Sequence, residues 1–154
     1  MMGPMASLFL TLAVITTGLY AGFLLTFLIA VMPGLAALPD DGFTAGMRRF
    51  NEKVPGPVFL VLFLGVIAFP AVPVFTEAGE KTWPLLLVAL ACAVVSHLIT
   101  IAGNIPLNNA LAESEGGDDA AARAAFEARW NAFHRLRTAL SLVAFVLLAV
   151  AACR

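Results

Sequence analysis

Four polar side chains recur at helical spacing within an otherwise apolar stretch of the chain. They fall at i, i+3, i+7 and i+11, and they are His97, Thr100, Asn104 and Asn108. These positions share one face of a helix that continues through Pro106. Polar side chains are costly against lipid and turn toward the interior of a helix bundle. The spacing therefore predicts a polar stripe directed at neighbouring helices.

A second polar stripe enters the last apolar segment from the same side of the membrane. Its members fall at i, i+4, i+7 and i+11, and they are Trp130, His134, Arg137 and Ser141. Asn131 and Thr138 flank this face. If the two helices are adjacent and antiparallel, the stripes lie against each other. We therefore expect one polar pocket near the inner membrane interface.

The asparagines also have structural interpretations. Gly103 is placed to end the third apolar helix as a C′ glycine. Asn104 then becomes the N-cap of a short helix, with Pro106 in its first turn. Asn108 and Asn109 lie beyond such a cap, where solvation is the alternative to a pocket.

The second stripe has similar alternatives. The guanidinium of Arg137 either extends to lipid phosphates or pairs inward, whereas Arg135 faces away from the stripe and is expected to extend to the lipid. Trp130 suits an interfacial aromatic belt. His97 lies deeper, where a hydrogen-bonded packing role competes with a ligand-binding one.

The chain lacks the residues that several kinds of chemistry need. None of the common hydrolase, metalloprotease or nucleotide-binding motifs is present. There are only two histidines, and the apolar segments contain no Asp or Glu, which argues against a zinc or diiron site and against a proton-coupled transporter. We expect no cofactor; a haem held by His97 and His134, or a bound quinone, is the alternative.

Composition places the chain in a membrane. Its 154 residues are 61% hydrophobic and 12% charged, and the mean hydropathy is +0.94. Soluble domains are about 25% charged, so we expect an integral membrane protein with lipid as its immediate partner. A net charge of -1 gives no basic surface for nucleic acid. The oligomeric state stays open.

Four segments are long and apolar enough to cross a bilayer, which takes about 20 residues. We expect an all-α fold, a four-helix transmembrane bundle forming a single domain over residues 1–154, with spans at approximately 6–32, 57–75, 83–103 and 132–153. Pro33-Gly34 is expected to end the first span.

Two connections are expected to hold amphipathic helices. Loop 1 carries Phe43, Met47 and Phe50 at helical spacing, with Asp40 and Asp41 placed to cap. Loop 3 becomes alanine-rich after Gly116 and is expected to lead directly into the fourth span.

Positive charge predicts the orientation. Seven basic residues lie in or next to loops 1 and 3, and they are Arg48, Arg49, Lys53, Arg123, Arg129, Arg135 and Arg137. The opposite side has two, Lys81 and Arg154. The excess predicts cytoplasmic loops 1 and 3 and both termini outside, in a bacterial inner membrane.

Three segments together resemble the anthrone oxygenase-like family of small four-helix membrane proteins. They read AGFLLTFLIAVMPGLAALPD, TIAGNIPLNNAL and RWNAFHRLRT. Their most specific parts are Asn104-x-Pro106-x-Asn108 and Trp130-Asn131-x-x-His134-x-x-Arg137. The resemblance extends over essentially the whole chain.

The resemblance implies oxidation of an anthrone, or a similar polycyclic phenol, to a quinone by O₂ without an evident metal or flavin. His134 then suits the role of base, and Arg137 that of a partner for an anionic oxygen. The substrate would be a hydrophobic aromatic molecule, and the residues expected to bind it are Asn104, Asn108, Trp130, Asn131, His97 and Thr100.

Two other functions fit the same residues. One is a non-enzymatic scaffold or accessory protein, in which the polar cluster locks the helices together. The other is a lipid- or quinone-binding protein without turnover. A scaffold predicts polar groups paired off with no space between them, whereas an enzyme predicts a cavity lined by His134, Arg137 and Asn104.

Overall fold

The protein is a bundle of four long helices with a fifth, shorter helix packed at one end. A computed structural model describes residues 2–154 and shows no strand among them. The helices are α1 (Pro4–Ala36), α2 (Asp40–Lys53), α3 (Pro57–Thr76), α4 (Trp83–Glu113) and α5 (Asp119–Ala152). All but α2 are long and apolar enough to span a membrane. The predicted all-α, four-helix membrane architecture is confirmed.

Helix α4 does not end where the sequence predicted. It continues ten residues past Gly103 to Glu113, and Asn104 has helical dihedral angles and makes no capping hydrogen bond. The predicted break at Gly103 and the predicted N-cap role of Asn104 are therefore wrong. Gly103 has a packing role instead, because a Cβ there would lie 2.9 Å from the ring of Phe133. Helix α1 likewise continues past Pro33 to Ala36.

Both helices accommodate their prolines by widening one turn. A proline lacks an N–H, and its ring clashes with the carbonyl four residues earlier. In α1 a π-helical segment, Phe27–Val31, ends two residues before Pro33; in α4 the segment Thr100–Asn104 ends two residues before Pro106. A π-helical turn bonds residue i to i+5. The wider turn gives the ring room, so each helix remains continuous.

The two predicted loop helices are present in different forms. Helix α2 is amphipathic and buries Phe43 and Met47, as its spacing predicted. Asp40 and Asp41 lie within its first turn and do not cap it, because Pro39 occupies the N-cap position. The loop 3 helix is the beginning of α5 itself, capped by the Asp118 carboxylate, which accepts from two backbone N–H groups.

Helix α2 is fastened to the bundle by a buried arginine. The side chain of Arg48 is 8% exposed and donates to the Leu111 carbonyl at 2.9 Å and to Ser114 Oγ at 3.0 Å. It also pairs with Asp119 at 3.3 Å, and Thr44 donates to the same carboxylate at 2.6 Å. We call the end of the bundle formed by α2, the last turns of α4 and the start of α5 the loop end.

Replacing Arg48 tests this attachment. We expect R48M to lower the free energy of unfolding by about 1–3 kcal/mol, because it removes the hydrogen bonds of the guanidinium to Leu111 and Ser114 and its ion pair with Asp119. R49M is the matched control, since the neighbouring Arg49 is 69% exposed and pairs with Glu52 on its own helix; a change of at most about 0.5 kcal/mol is expected there. Unfolding in mild detergent provides the measurement, and equal effects of the two variants would contradict the role of Arg48.

Candidate functional site

A cavity of about 170 Å³ lies between the four long helices near the loop end. Aromatic rings form much of its wall, and they belong to Phe23, Phe27, Phe59, Phe63 and Trp130. A few polar side chains also line it, namely Asn51, Thr100, Asn104, Asn108 and Arg137. A largely apolar cavity with a few converging polar groups is typical of a small-molecule site.

The cavity adjoins a second, more polar space at the loop end. This space, which we call the vestibule, has a volume of about 280 Å³ and includes Glu52 and Glu115 in its wall. Residues common to both walls are Asn51, Pro55, Ile105 and Asn108. Ile105 and the cavity residue Leu60 are also exposed on the outside of the bundle. The opening therefore lies where α3 and α4 meet the loop end.

Arg137 is a buried cation without a carboxylate. Its side chain is 8% exposed, and within residues 2–154 it forms no ion pair. Nη1 donates to Thr100 Oγ1 at 3.1 Å, while Nε and Nη2 donate to His134 Nδ1 at 3.1 and 3.0 Å. The guanidinium carbon also lies 5.4 Å from the centre of the Trp130 ring. Buried charges are normally paired, so the positive charge of Arg137 is available to a ligand in the cavity.

His134 lies behind Arg137 and is fully buried. Because arginine only donates hydrogen bonds, His134 Nδ1 must be the acceptor, and the ring proton is on Nε2. Nε2 donates to the Leu24 carbonyl of α1 at 2.9 Å. The Trp130 ring stacks on the imidazole with centres 4.6 Å apart. In this arrangement the imidazole is neutral, fixed on both sides, and separated from the cavity by Arg137 and Trp130.

Two amide groups in the cavity wall have an atom without a partner. Asn104 donates from Nδ2 to the Trp130 carbonyl at 3.3 Å, but its buried Oδ1 has no partner among the described residues, and neither has the buried Nδ2 of Asn51. Asn108 Oδ1 accepts from Trp130 Nε1 at 2.9 Å. An unsatisfied buried polar atom costs about 1–3 kcal/mol. Simple helix locking does not account for these two atoms.

The structure brings together most of the predicted site residues, but not all. Arg137, Thr100, Asn104, Asn108 and Trp130 line one cavity, with His134 directly behind. Asn131 instead lies in a surface groove between α1 and α5. Ser141 turns to Ser96, with their hydroxyl oxygens 3.0 Å apart.

His97 also lies away from the cavity. Its ring stacks on Phe63, with centres 4.0 Å apart, and its nitrogens lie 3.0 Å from the Ala93 carbonyl and 2.7 Å from the Phe63 carbonyl. The nitrogens of His134 are occupied by Arg137 and Leu24. Both nitrogens of each ring therefore face polar groups of the protein. Among the described residues, no three His, Cys, Asp or Glu side chains converge on a metal position.

Asn51 is a cavity residue that the polar stripes did not reveal. It comes from α2, which is outside the four spans. A signal was present nonetheless, because Phe43, Met47 and Asn51 fall at i, i+4 and i+8 and so share the buried face of α2. An asparagine at that position of an apolar face is directed into the bundle.

Comparison with known protein families adds the decisive observation. The model of the anthrone oxygenase family matches residues 43–147. The chain belongs to the anthrone oxygenase family. No curated protein and no solved structure matches it. The matched region includes α2 from Phe43 onward and every polar residue of the cavity wall in this family member. The part of α1 that supplies Leu24, Phe23 and Phe27 lies outside it.

Arg137 distinguishes a binding site from a structural lock in this anthrone oxygenase family member. In R137M, removal of an unpaired buried charge offsets the lost hydrogen bonds to Thr100 and His134, and we expect the free energy of unfolding to change by no more than about 1 kcal/mol. R135M, at an exposed position two residues away, is the control. The measurement is unfolding in mild detergent. Destabilisation of R137M by more than about 2 kcal/mol would instead identify Arg137 as part of a structural lock.

Proposed function

We propose that the protein oxidises a planar, anthrone-type phenol to a quinone with O₂ inside the membrane. The observation that carries the proposal is the unpaired guanidinium of Arg137 in the wall of an aromatic cavity. A flat aromatic ligand matches the ring-lined walls, and an enolate oxygen matches the guanidinium. In this proposal O₂ reacts with the enolate of the ligand itself, so no resident cofactor supplies electrons.

The volume of the cavity sets how such a ligand would bind. An apolar cavity of about 150 Å³ holds one benzene ring in an engineered protein, and this cavity has about 170 Å³. A ligand of three fused rings is larger than this volume, so part of it extends beyond the cavity toward the opening at Pro55 and Ile105. Because Leu60 and Ile105 are exposed to lipid, a hydrophobic substrate can enter from the bilayer.

The reaction begins with the enol form of the anthrone. Its hydroxyl loses a proton, and Arg137 stabilises the resulting oxyanion. The electron-rich methine carbon at the opposite edge then forms a bond with O₂, which is reduced to a peroxide and takes up a proton. Loss of the remaining C–H proton with cleavage of the O–O bond releases water and leaves the second carbonyl. One anthrone and one O₂ thus give one quinone and one water.

His134 is proposed as the acceptor of the enol proton. Its Nδ1 already receives hydrogen bonds from Arg137, so the guanidinium must turn toward the ligand oxygen before Nδ1 can accept. A fixed neutral imidazole with its proton on Nε2 has the correct protonation state for a base. Until Arg137 turns, His134 acts as a positioning residue that holds the guanidinium at the cavity wall.

The membrane orientation follows from charge in this proposal. Seven of the nine Lys and Arg residues lie at or near the loop end, which the positive-inside rule assigns to the cytoplasm. The cavity opening would then lie near the cytoplasmic face of a bacterial inner membrane.

Two substitutions at His134 separate the roles of base and positioner. We expect H134A to lower the rate of anthrone oxidation at least about 100-fold. H134N places an amide oxygen near the position of Nδ1, which can still accept from Arg137 but cannot take up a proton, and we expect an equal loss. Quinone absorbance and O₂ consumption in membranes provide the rate, with protein-free vesicles correcting for spontaneous oxidation.

The outcomes of this experiment are distinct. Near wild-type turnover by a well-inserted H134N would leave His134 with the positioning role alone. R137K, which keeps the charge but loses the planar fork, is expected to be at least about tenfold slower. Tight binding of anthrone by the wild-type protein without any turnover would contradict the oxygenase proposal and favour a binding protein.

A further inference from the structure

A second buried group at the outer edge of the cavity matches the product of the proposed reaction. Asn51 Nδ2 is a buried hydrogen-bond donor without a partner among the described residues. Asn51 lines both the cavity and the vestibule, so it lies at the passage between them. It comes from α2, whereas Arg137 comes from α5.

Asn51 and Arg137 lie toward different ends of the cavity. Arg137 binds Thr100, while the amide that accompanies Asn51 at the passage is Asn108. Thr100 and Asn108 are eight residues apart on α4, which corresponds to roughly 12 Å along a helix. A planar ligand with one oxygen against Arg137 therefore directs its opposite edge toward Asn51.

The groups around Asn51 favour a ligand that carries an oxygen acceptor on the edge facing Asn51. Asn108 uses its Oδ1 to accept from Trp130, so its amino group, like Nδ2 of Asn51, remains a donor. Arg48 lies one turn before Asn51 and fixes α2 through Leu111, Ser114 and Asp119. The donor at Asn51 is thereby held by a rigid element.

We propose that Asn51 is a further substrate-binding residue, whose Nδ2 donates a hydrogen bond to the oxygen that the reaction adds at the edge opposite Arg137. This inference rests on the proposed function for the orientation of the ligand. It assigns to the site a planar aromatic ligand with oxygen acceptors on two opposite edges. At the outer edge, Asn51 contacts the peroxide oxygen and then the new carbonyl, while Arg137 contacts the original one.

The test compares two probes that differ in the outer oxygen. Anthraquinone has carbonyls on both edges, and anthrone has one carbonyl, with a methylene opposite. Dissociation constants are measured in detergent without O₂, so that anthrone is not consumed. We expect N51L to weaken anthraquinone binding about tenfold, the equivalent of one hydrogen bond, and to leave anthrone binding within about twofold of wild type. N131L, in the surface groove between α1 and α5 and away from both the cavity and the vestibule, is the control and should change neither.

Each outcome decides between the two proposals. An equal change for both probes, or no change, overturns the role of Asn51, including the case in which Asn51 serves only to hold a structural water. N51A, which removes the amide without adding bulk, replaces N51L if the latter does not fold. If the wild-type protein binds both probes but never oxidises anthrone, the oxygenase proposal is wrong. The comparison of anthraquinone and anthrone binding in N51L then still tests the role of Asn51. Binding of neither probe overturns both.

Discussion

The cavity is organised around one buried cation, Arg137, that is held by neutral groups. Arg137 of α5 donates to Thr100 of α4 and to His134 of its own helix, and His134 in turn donates to the Leu24 carbonyl of α1. This chain of hydrogen bonds joins three of the four long helices at one level. Because each acceptor is neutral, the positive charge is solvated by dipoles but not cancelled. The helices can surround the guanidinium of Arg137 only if the Thr100 hydroxyl, the His134 ring and the Leu24 carbonyl lie at the same depth in the bundle.

The two π-helical segments help to set the depth in the bundle at which the Leu24 carbonyl and the Thr100 hydroxyl lie. Leu24 lies in the turn before the segment Phe27–Val31, and Thr100 begins the segment Thr100–Asn104. A proline downstream of each segment makes the wider turn favourable, because it relieves the clash that the ring would have with a regular α-helical carbonyl. The same feature that keeps each helix continuous thus shapes the cavity wall. Wider turns of this type are frequent at functional sites.

Much of this arrangement could be predicted from the sequence, and the errors have physical causes. The lengths of the apolar segments predicted the four spans. The spacing of Thr100, Asn104 and Asn108 predicted which face of α4 lines the cavity. The break expected at Gly103 was wrong, because glycine and proline signal an end but do not reveal whether a wider turn can relieve the strain. Periodicity also could not show that His97 faces two backbone carbonyls, since those acceptors carry no sequence signal. Asn51 was missed because it belongs to α2, outside the four spans, although its spacing with Phe43 and Met47 placed it on the buried face of that helix.

Under the proposed function, the neutral partners of Arg137 let a site within a bilayer favour an anionic reaction. A hydrophobic phenol enters from lipid only in its uncharged form, so the charge that stabilises its enolate must already be present in the protein. An aspartate beside Arg137 would ease burial of the guanidinium, but it would also cancel the field that the enolate needs and would repel the developing oxyanion. Pairing with the imidazole of His134 avoids both effects, and it keeps a proton acceptor directly behind the guanidinium. The cost of leaving Arg137 without a carboxylate is therefore consistent with catalysis and has no equivalent benefit in a purely structural lock.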